Sequence, residues 1–244
     1  MTDGTRPGAP PPNMQGRPTR RHHWGRWALG SVGALVVLVV VAVGAFIKLK
    51  PAPAPLVLTK AHASAPVGPL DGTWDVGPGS VAGFRLQETA LFISNDVVGR
   101  TNAVTGTFVV SGDRVSAATF RIGLTTMKVA GKSQPQFAKS LGTRTHPRAT
   151  FILTRPMTLR PAFASGATVT TSATGRLTMH GASRVVSFTV SGRRNGATLQ
   201  VAGSVPIALS DWGIKGPAGF GPLGSLSEHG VAEFLLALNK QCRP

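Results

Sequence analysis

A strict alternation of apolar and polar residues recurs along most of the chain after residue 70. It is clearest in residues 173–190, where Leu177 and Met179 fall on one face of a strand and Arg176 falls on the other. A short connection at 181–183 then leads into a second alternating run. Alternation with a period of two is typical of strands in a sheet with one wet face and one dry face. The stretch therefore predicts a β-hairpin.

The same alternation predicts the other strands, at 72–76, 84–87, 104–110, 118–124, 149–153, 197–210 and 231–238. Pro206 indicates an edge or a bulge in its strand. One short helix is predicted at 133–141, where Phe137 and Leu141 share a face that could cover one end of the sheet. About eight antiparallel strands with one short helix indicate an all-β, up-and-down barrel, with a two-sheet sandwich as the alternative.

The dry faces of these strands are almost wholly apolar, and they have two interpretations. Barrels of about eight strands have interiors that are either filled by side chains or wide enough for one small ligand. Gly106, Gly175 and Gly203 either leave space inside or mark bends that let the strands close. The pattern alone favours neither a packed core nor a cavity.

The chain before the strands divides into three segments. Residues 1–26 are polar and rich in Pro, Gly and Arg, which predicts a disordered basic tail. Residues 27–47 contain no charged side chain and are long enough for a transmembrane helix. Residues 48–70 are rich in Pro and Ala and predict a semi-extended spacer before a domain at 71–240.

The apolar segment is interpreted as an uncleaved signal anchor, with a cleaved signal peptide as the alternative. Five arginines precede it and three lysines follow it closely, which predicts a cytoplasmic N-terminus and an extracytoplasmic domain. The expected localisation is therefore the cell membrane, with a single pass.

The composition narrows the classes of partner. The chain has 26 Lys and Arg residues against 9 Asp and Glu residues, a net charge of +17. It has no Tyr and no helix rich in basic residues, so nucleic acid is not an expected partner. Cys242 is the single cysteine, which excludes an intramolecular disulfide.

No motif for catalysis or metal binding is present. His146, His180 and His229 are scattered, and the acidic residues show no ligand spacing, so no metal or catalytic residues are predicted. The alternation places His180 on the polar face of its strand, where we expect a hydrogen bond that holds the turn. The sequence predicts no enzyme and no cofactor.

Several short motifs follow one another in a fixed order along residues 71–238. The segments GRLTMHGASR at 175–184 and HPRATF at 146–151 resemble the G-x-L-T-x-H-G signature and the A-T-F strand start of the YceI-like family of bacterial proteins. The segments GFRLQE at 83–88, GRT at 99–101 and LSDWGI at 209–214 resemble further motifs of its actinobacterial members. Arg148 departs from the family, which has a small hydroxyl residue there.

The resemblance implies a lipocalin-like barrel that holds an isoprenoid chain, of polyprenyl or quinone type, in a dry tunnel without catalysis. Arg85, Arg121 and Arg148 are candidates to orient a headgroup. The alternative is a structural module whose basic surface binds anionic cell-envelope polymers or a protein. The expected lining of the tunnel is Phe84, Leu86, Phe108, Phe120, Ile122, Leu124, Phe151, Leu177, Met179, Phe188, Val190, Phe234 and Leu236.

Overall fold

A computed structural model describes residues 52–59, 64–90, 93–216 and 224–241. The predicted tail at 1–26 and the predicted membrane span at 27–47 lie outside these residues. Within the described ranges, no helix combines the length and the apolar character needed to cross a membrane. Lys50–Pro244 form one compact unit.

Antiparallel strands dominate the described chain, as the alternation predicted. They are β1 Gly72–Val76, β2 Val81–Ala90, β3 Ile93–Thr101, β4 Val104–Ser111, β5 Arg114–Gly123, β6 Lys128–Val129, β7 Arg148–Leu153, β8 Met157–Thr158, β9 Val169–Met179, β10 Ala182–Asn195, β11 Thr198–Ala208 and β12 Gly224–Lys240. The helices are α1 Pro135–Ser140, α2 Pro161–Ala164 and a 3-10 helix at Leu209–Trp212.

Eight of these strands close into a barrel. Hydrogen-bonded neighbours follow the order β1-β4-β5-β7-β9-β10-β11-β12, and β12 pairs with β1 to complete the ring. The closing register places Trp74 opposite Lys240 and Val76 opposite Leu238. The predicted up-and-down barrel is therefore confirmed, and the sandwich alternative is wrong.

Two pairs of consecutive strands act as long, bent strands. β1 and β2 both pair with β12, on either side of a bend at residues 77–80. β3 pairs with β2 and β4 pairs with β1, so these two strands form a second long strand beside the first. It bends at residues 102–103, next to the first bend. The sequence did not predict β3, because its central residues, Asn95 to Val98, interrupt the alternation.

Pro206 lies on a local edge, as its position in the sequence indicated. The β10–β11 register begins at the Val190–Gly203 pair, so the β11 residues after Gly203 pair with β12 alone. The proline therefore interrupts no ladder bond toward β10. The 3-10 helix continues directly from this part of β11.

The β9–β10 turn is tighter than predicted. Met179 pairs with Ala182, so only His180 and Gly181 form the connection rather than the three residues at 181–183. Both residues have positive φ, 50° and 77°. Two consecutive positive φ values are the conformation that two-residue hairpin turns prefer, because it matches the twist of the flanking strands.

One end of the barrel interior is a packed core. Trp74, Val115, Leu199 and Leu238 are almost fully buried there. Trp74 also donates a hydrogen bond from Nε1 to the Leu70 carbonyl, 2.9 Å away, which satisfies the one polar atom of its ring. This end is the one at which β1 and β12 close the ring.

The predicted spacer lies against the barrel instead of standing apart from it. We call its described parts, residues 52–59 and 64–70, the strap. Arg85 donates to the Pro53 carbonyl, Arg100 to the Ala54 carbonyl and Arg193 to the Thr59 carbonyl, at 2.6, 3.0 and 2.7 Å. A segment rich in proline lacks many N–H donors but keeps its carbonyl acceptors, and guanidinium groups supply only donors.

Glu233 of β12 completes this attachment. Its Oε2 accepts the Leu56 N–H at 3.0 Å, and its Oε1 lies 2.8 Å from Arg100 Nη2 and 3.5 Å from Arg85 Nη2. Burial lowers the pKa of the Arg100 guanidinium, and the Glu233 carboxylate opposes that effect. The strap is therefore held by a buried cluster of charges.

Candidate functional site

An apolar cavity of about 160 Å³ lies inside the barrel, beyond the packed core. Its wall is made by inward-facing residues of the barrel strands, joined by Leu141 after α1 and Ile214 after the 3-10 helix. Among the described residues, the ionisable ones that line it are His180 and Glu233 alone. The interior thus combines both alternatives that the sequence left open, a core at one end and a cavity beyond it.

The strand alternation placed the predicted lining residues correctly. Every residue of that predicted set lines this cavity except Leu86, which lines a smaller cavity of about 70 Å³. Small side chains that the predicted set omitted also form the wall, among them Ala118, Ala149 and Ala173. They carry the same inward alternation, so the signal for them was present in the sequence. Ligand binding by these residues stays a prediction.

The two cavities share part of their lining. The residues that line both are Phe84, Leu141, Met179, Ile214 and Ala232. The ring of Phe84 stacks on Phe137 of α1, with 6.0 Å between the centroids. The predicted helix at 133–141 therefore does cover an end of the barrel.

Glycines on neighbouring strands give the aromatic rings of the wall their positions. Phe234 pairs across the ladder with Gly203, and a Cβ at Gly203 would lie 2.9 Å from Cζ of that ring. Phe84 covers Gly99 and Phe151 covers Gly175 in the same way. Because the rings lie along the wall over glycines, the centre of the barrel stays empty. The glycines thus leave room for rings, a role that neither predicted alternative included.

We expect Gly203→Val to push the Phe234 ring into the cavity. The added side chain would also crowd the Thr189 carbonyl, 3.1 Å from the Cβ position. Overpacking of this kind costs about 1–3 kcal/mol of folding stability. Urea unfolding of the variant measures this cost. Ser204→Val, an exposed position next along the strand, is the control, and equal losses in the two variants would contradict the role of Gly203.

His180 lines the cavity although its position in the alternation predicted the polar face. Its φ of 50° ends the strand geometry at Met179, so the period of two no longer sets the direction of its side chain. Nδ1 lies 2.9 Å from the Trp212 carbonyl, which can only accept, so Nδ1 carries the proton. The expected hydrogen bond exists, but it joins the turn to the 3-10 helix.

The second ring nitrogen of His180, Nε2, is closely surrounded by neighbouring residues. A Cβ at Gly142 would lie 2.9 Å from Nε2, and the His146 ring lies 5.4 Å away between centroids. His146 in turn packs on Gly181. Glycine at 142 and 181 is therefore required for the two imidazoles to fit at this end of the cavity.

The arginines predicted to orient a headgroup do not line the cavity. Arg121 and Arg148 are exposed on the outer face of the barrel, and Arg85 is bound to Asp96, Glu233 and the strap. The prediction rested on composition alone, and these positions do not support it. His180 is the ionisable side chain placed at the end near α1.

Among the described residues, no three His, Cys, Asp or Glu side chains are grouped closely enough to hold a metal ion. The Glu233 carboxylate contacts two arginines and the strap. The lining of the cavity is almost wholly apolar, which suits an apolar ligand.

These features define the class of the protein: an antiparallel eight-stranded barrel with an apolar internal cavity. The model of the YceI-like domain matches residues 74–231, and the chain belongs to this family. No curated protein matches the chain significantly.

Solved structures with the same fold are distant in sequence. A polyisoprenoid binding domain from Saccharophagus degradans, implicated in plant cell wall breakdown, is 16% identical with a TM-score of 0.52. The match covers 69% of this chain and 98% of that one. BcnA from Burkholderia cenocepacia is 15% identical with a TM-score of 0.47, over 63% of this chain and 95% of its own. At 16% identity, the likeness to the Saccharophagus degradans domain shows the fold.

Proposed function

We propose that the protein is a non-catalytic carrier of an isoprenoid lipid, of polyprenyl or quinone type, held in the barrel. The observation that supports this most is the apolar cavity of about 160 Å³. A dry cavity gains roughly 0.8 kcal/mol for each methylene-sized group that it takes out of water. Affinity for a branched hydrocarbon chain therefore needs few polar contacts.

The volume of the cavity limits the length of isoprenoid chain that it can hold without movement of its lining side chains. An apolar cavity of about 150 Å³ accommodates one benzene molecule, which is close to the size of one isoprene unit. A second unit would extend into the neighbouring cavity, and we expect this to need rotation of Phe84 and Met179, which line both spaces. These two residues would then set the length of chain that is enclosed.

The proposal includes anchoring of the barrel at the outer face of the cell membrane. It is supported by the uncharged segment at 27–47 and by the excess of arginine before it. The lipid binding domain of the Saccharophagus degradans protein supports the choice of an isoprenoid. The presence of the full chain in membranes after alkaline washing would test the anchor separately from the ligand.

The function is tested by identifying what the barrel retains. Residues 50–244, which keep the strap and form the compact unit, are purified without detergent and extracted with organic solvent. We expect mass spectrometry to find a polyprenyl compound in a fixed ratio to the protein. An extract without lipid, together with a barrel that gains no thermal stability from added isoprenoid, would overturn the proposal.

A further inference from the structure

Charge is divided unevenly around the barrel. From Arg114 to Ser210 the chain contains thirteen Lys and Arg residues and no Asp or Glu. This run supplies β5 to β11, so most of the circumference contains no carboxylate at all. The stretches of chain before and after it, at 64–113 and 211–241, contain eight acidic residues and four basic ones.

Part of the basic half forms one continuous outer surface on β5, β7, β9 and β10, which we call the basic wall. It presents Arg121, Arg148 and Arg176, all exposed. Among the described residues none of the three forms an ion pair; the described ion pairs involve Arg85, Arg100 and Arg114 instead. Neighbouring strands lie about 4.8 Å apart, so these guanidinium groups share a compact area.

Two exposed apolar side chains lie within this wall. Ile152 on β7 and Val185 on β10 are both directly opposite Arg176 of β9 in the ladder. They are 47% and 66% exposed. In the described barrel strands no other large apolar side chain is so exposed; the remaining two, Val57 and Val67, belong to the strap.

We propose that the basic wall docks on the surface of an anionic lipid bilayer. Guanidinium groups pair with lipid phosphates, and each basic residue close to an anionic membrane contributes roughly fivefold to binding. The three arginines together would contribute about a hundredfold. Ile152 and Val185 would enter the boundary between headgroups and acyl chains, where apolar side chains gain by leaving water.

The apolar pair favours a bilayer over a soluble polyanion. A hydrated polymer has no hydrocarbon region, so Ile152 and Val185 would remain in contact with water. The face also lacks the aromatic side chains on which nucleic acid bases stack. The inference depends on the outer wall only, and it stands whether or not the cavity holds a lipid.

The test uses the full chain with Cys242→Ser and one new cysteine that carries an environment-sensitive fluorophore. Ser187→Cys places the label on the basic wall beside Val185, and Gln87→Cys places it on exposed β2 across the barrel. Each protein is mixed with vesicles of phosphatidylcholine alone or with about a third phosphatidylglycerol. The vesicles are floated on a density gradient before the emission is read, so that anchoring and docking are measured separately.

We expect the label at 187 to shift to the blue on anionic vesicles only, and the label at 87 to remain unchanged. If the protein floats with both kinds of vesicle, the anchor has inserted. If it floats with anionic vesicles alone, the basic wall binds without the anchor, which supports the proposal. The shift should disappear at about 0.5 M salt, where the screening length falls below 5 Å. It should also disappear in the triple variant Arg121→Gln, Arg148→Gln, Arg176→Gln.

A matched triple variant separates the wall from net charge. The control is Lys128→Gln, Lys132→Gln, Lys139→Gln, which removes the same charge from exposed positions on β6, on α1 and on the connection between them. An equal loss of the shift in this control would overturn the proposal, as would a shift at 187 on uncharged vesicles. A shift caused by soluble polyphosphate but not by anionic vesicles would assign the wall to a polymer instead.

Discussion

Ala118→Phe is expected to empty the barrel of its lipid. Ala118 is buried on β5 and lines the cavity. The substitution adds a phenyl ring, and a ring of that size fills an apolar cavity of about 150 Å³. Displacing one five-carbon unit would remove about 4 kcal/mol of binding free energy at roughly 0.8 kcal/mol per carbon, close to a thousandfold in affinity.

The control for this prediction is the residue next to it. Ala117 is exposed on the same strand and faces away from the cavity, so Ala117→Phe adds the same ring outside. Lipid recovered per molecule of barrel, measured by mass spectrometry, should fall only in Ala118→Phe, while urea unfolding shows that both variants fold. Equal lipid in the two variants would show that the ligand binds elsewhere.

Glu233→Ala is expected to cause the largest loss of folding stability from a single charge. The substitution leaves Arg85 and Arg100 without their shared carboxylate and the Leu56 N–H without an acceptor. Breaking a buried ion pair by removing one partner costs about 3–5 kcal/mol. The strap should detach together with this loss, which limited proteolysis after residue 50 measures.

Glu228→Ala is the matched control, because Glu228 is an exposed carboxylate on the same strand. We expect it to change the free energy of unfolding by less than about 0.5 kcal/mol. Glu233→Gln should lie between the two, since an amide oxygen can still accept from Leu56 but carries no charge. A strap that resists protease equally in all three variants would show that its carbonyl bonds suffice.

The barrel could be predicted from the sequence because the alternation of apolar and polar residues is a local property of each strand. Residues such as Phe120 and Ile122 on β5, or Leu236 on β12, face inward wherever the strand lies in the ring. The alternation missed β3, which pairs with β2 outside the ring of eight strands and carries Asn95 and Asp96 next to Val97 and Val98. There the local signal is absent, although pairing with β2 defines the strand in three dimensions.

The interior could be predicted only in part. Which residues face inward follows from the period of two, but whether they meet in the centre depends on pairs such as Phe234 and Gly203, which come from different strands. The direction of His180 depends on one positive φ, which the alternation does not encode. The strap depends on contacts across long stretches of chain, since Arg193 and Thr59 are 134 residues apart.

The ring closes through its last strand, and this has a consequence for the order of folding. β12 pairs with β11, β2 and β1. These three strand pairings therefore form only after residues 224–240 have been synthesised. A ribosome delivers the chain from its N-terminus, and pairings between distant residues form slowly. Until β12 arrives, β1 and β2 lack a partner on that side and Glu233 cannot secure the strap. The nascent protein is therefore an open sheet with an apolar face, and the pairing of β12 closes it into a barrel in one late step.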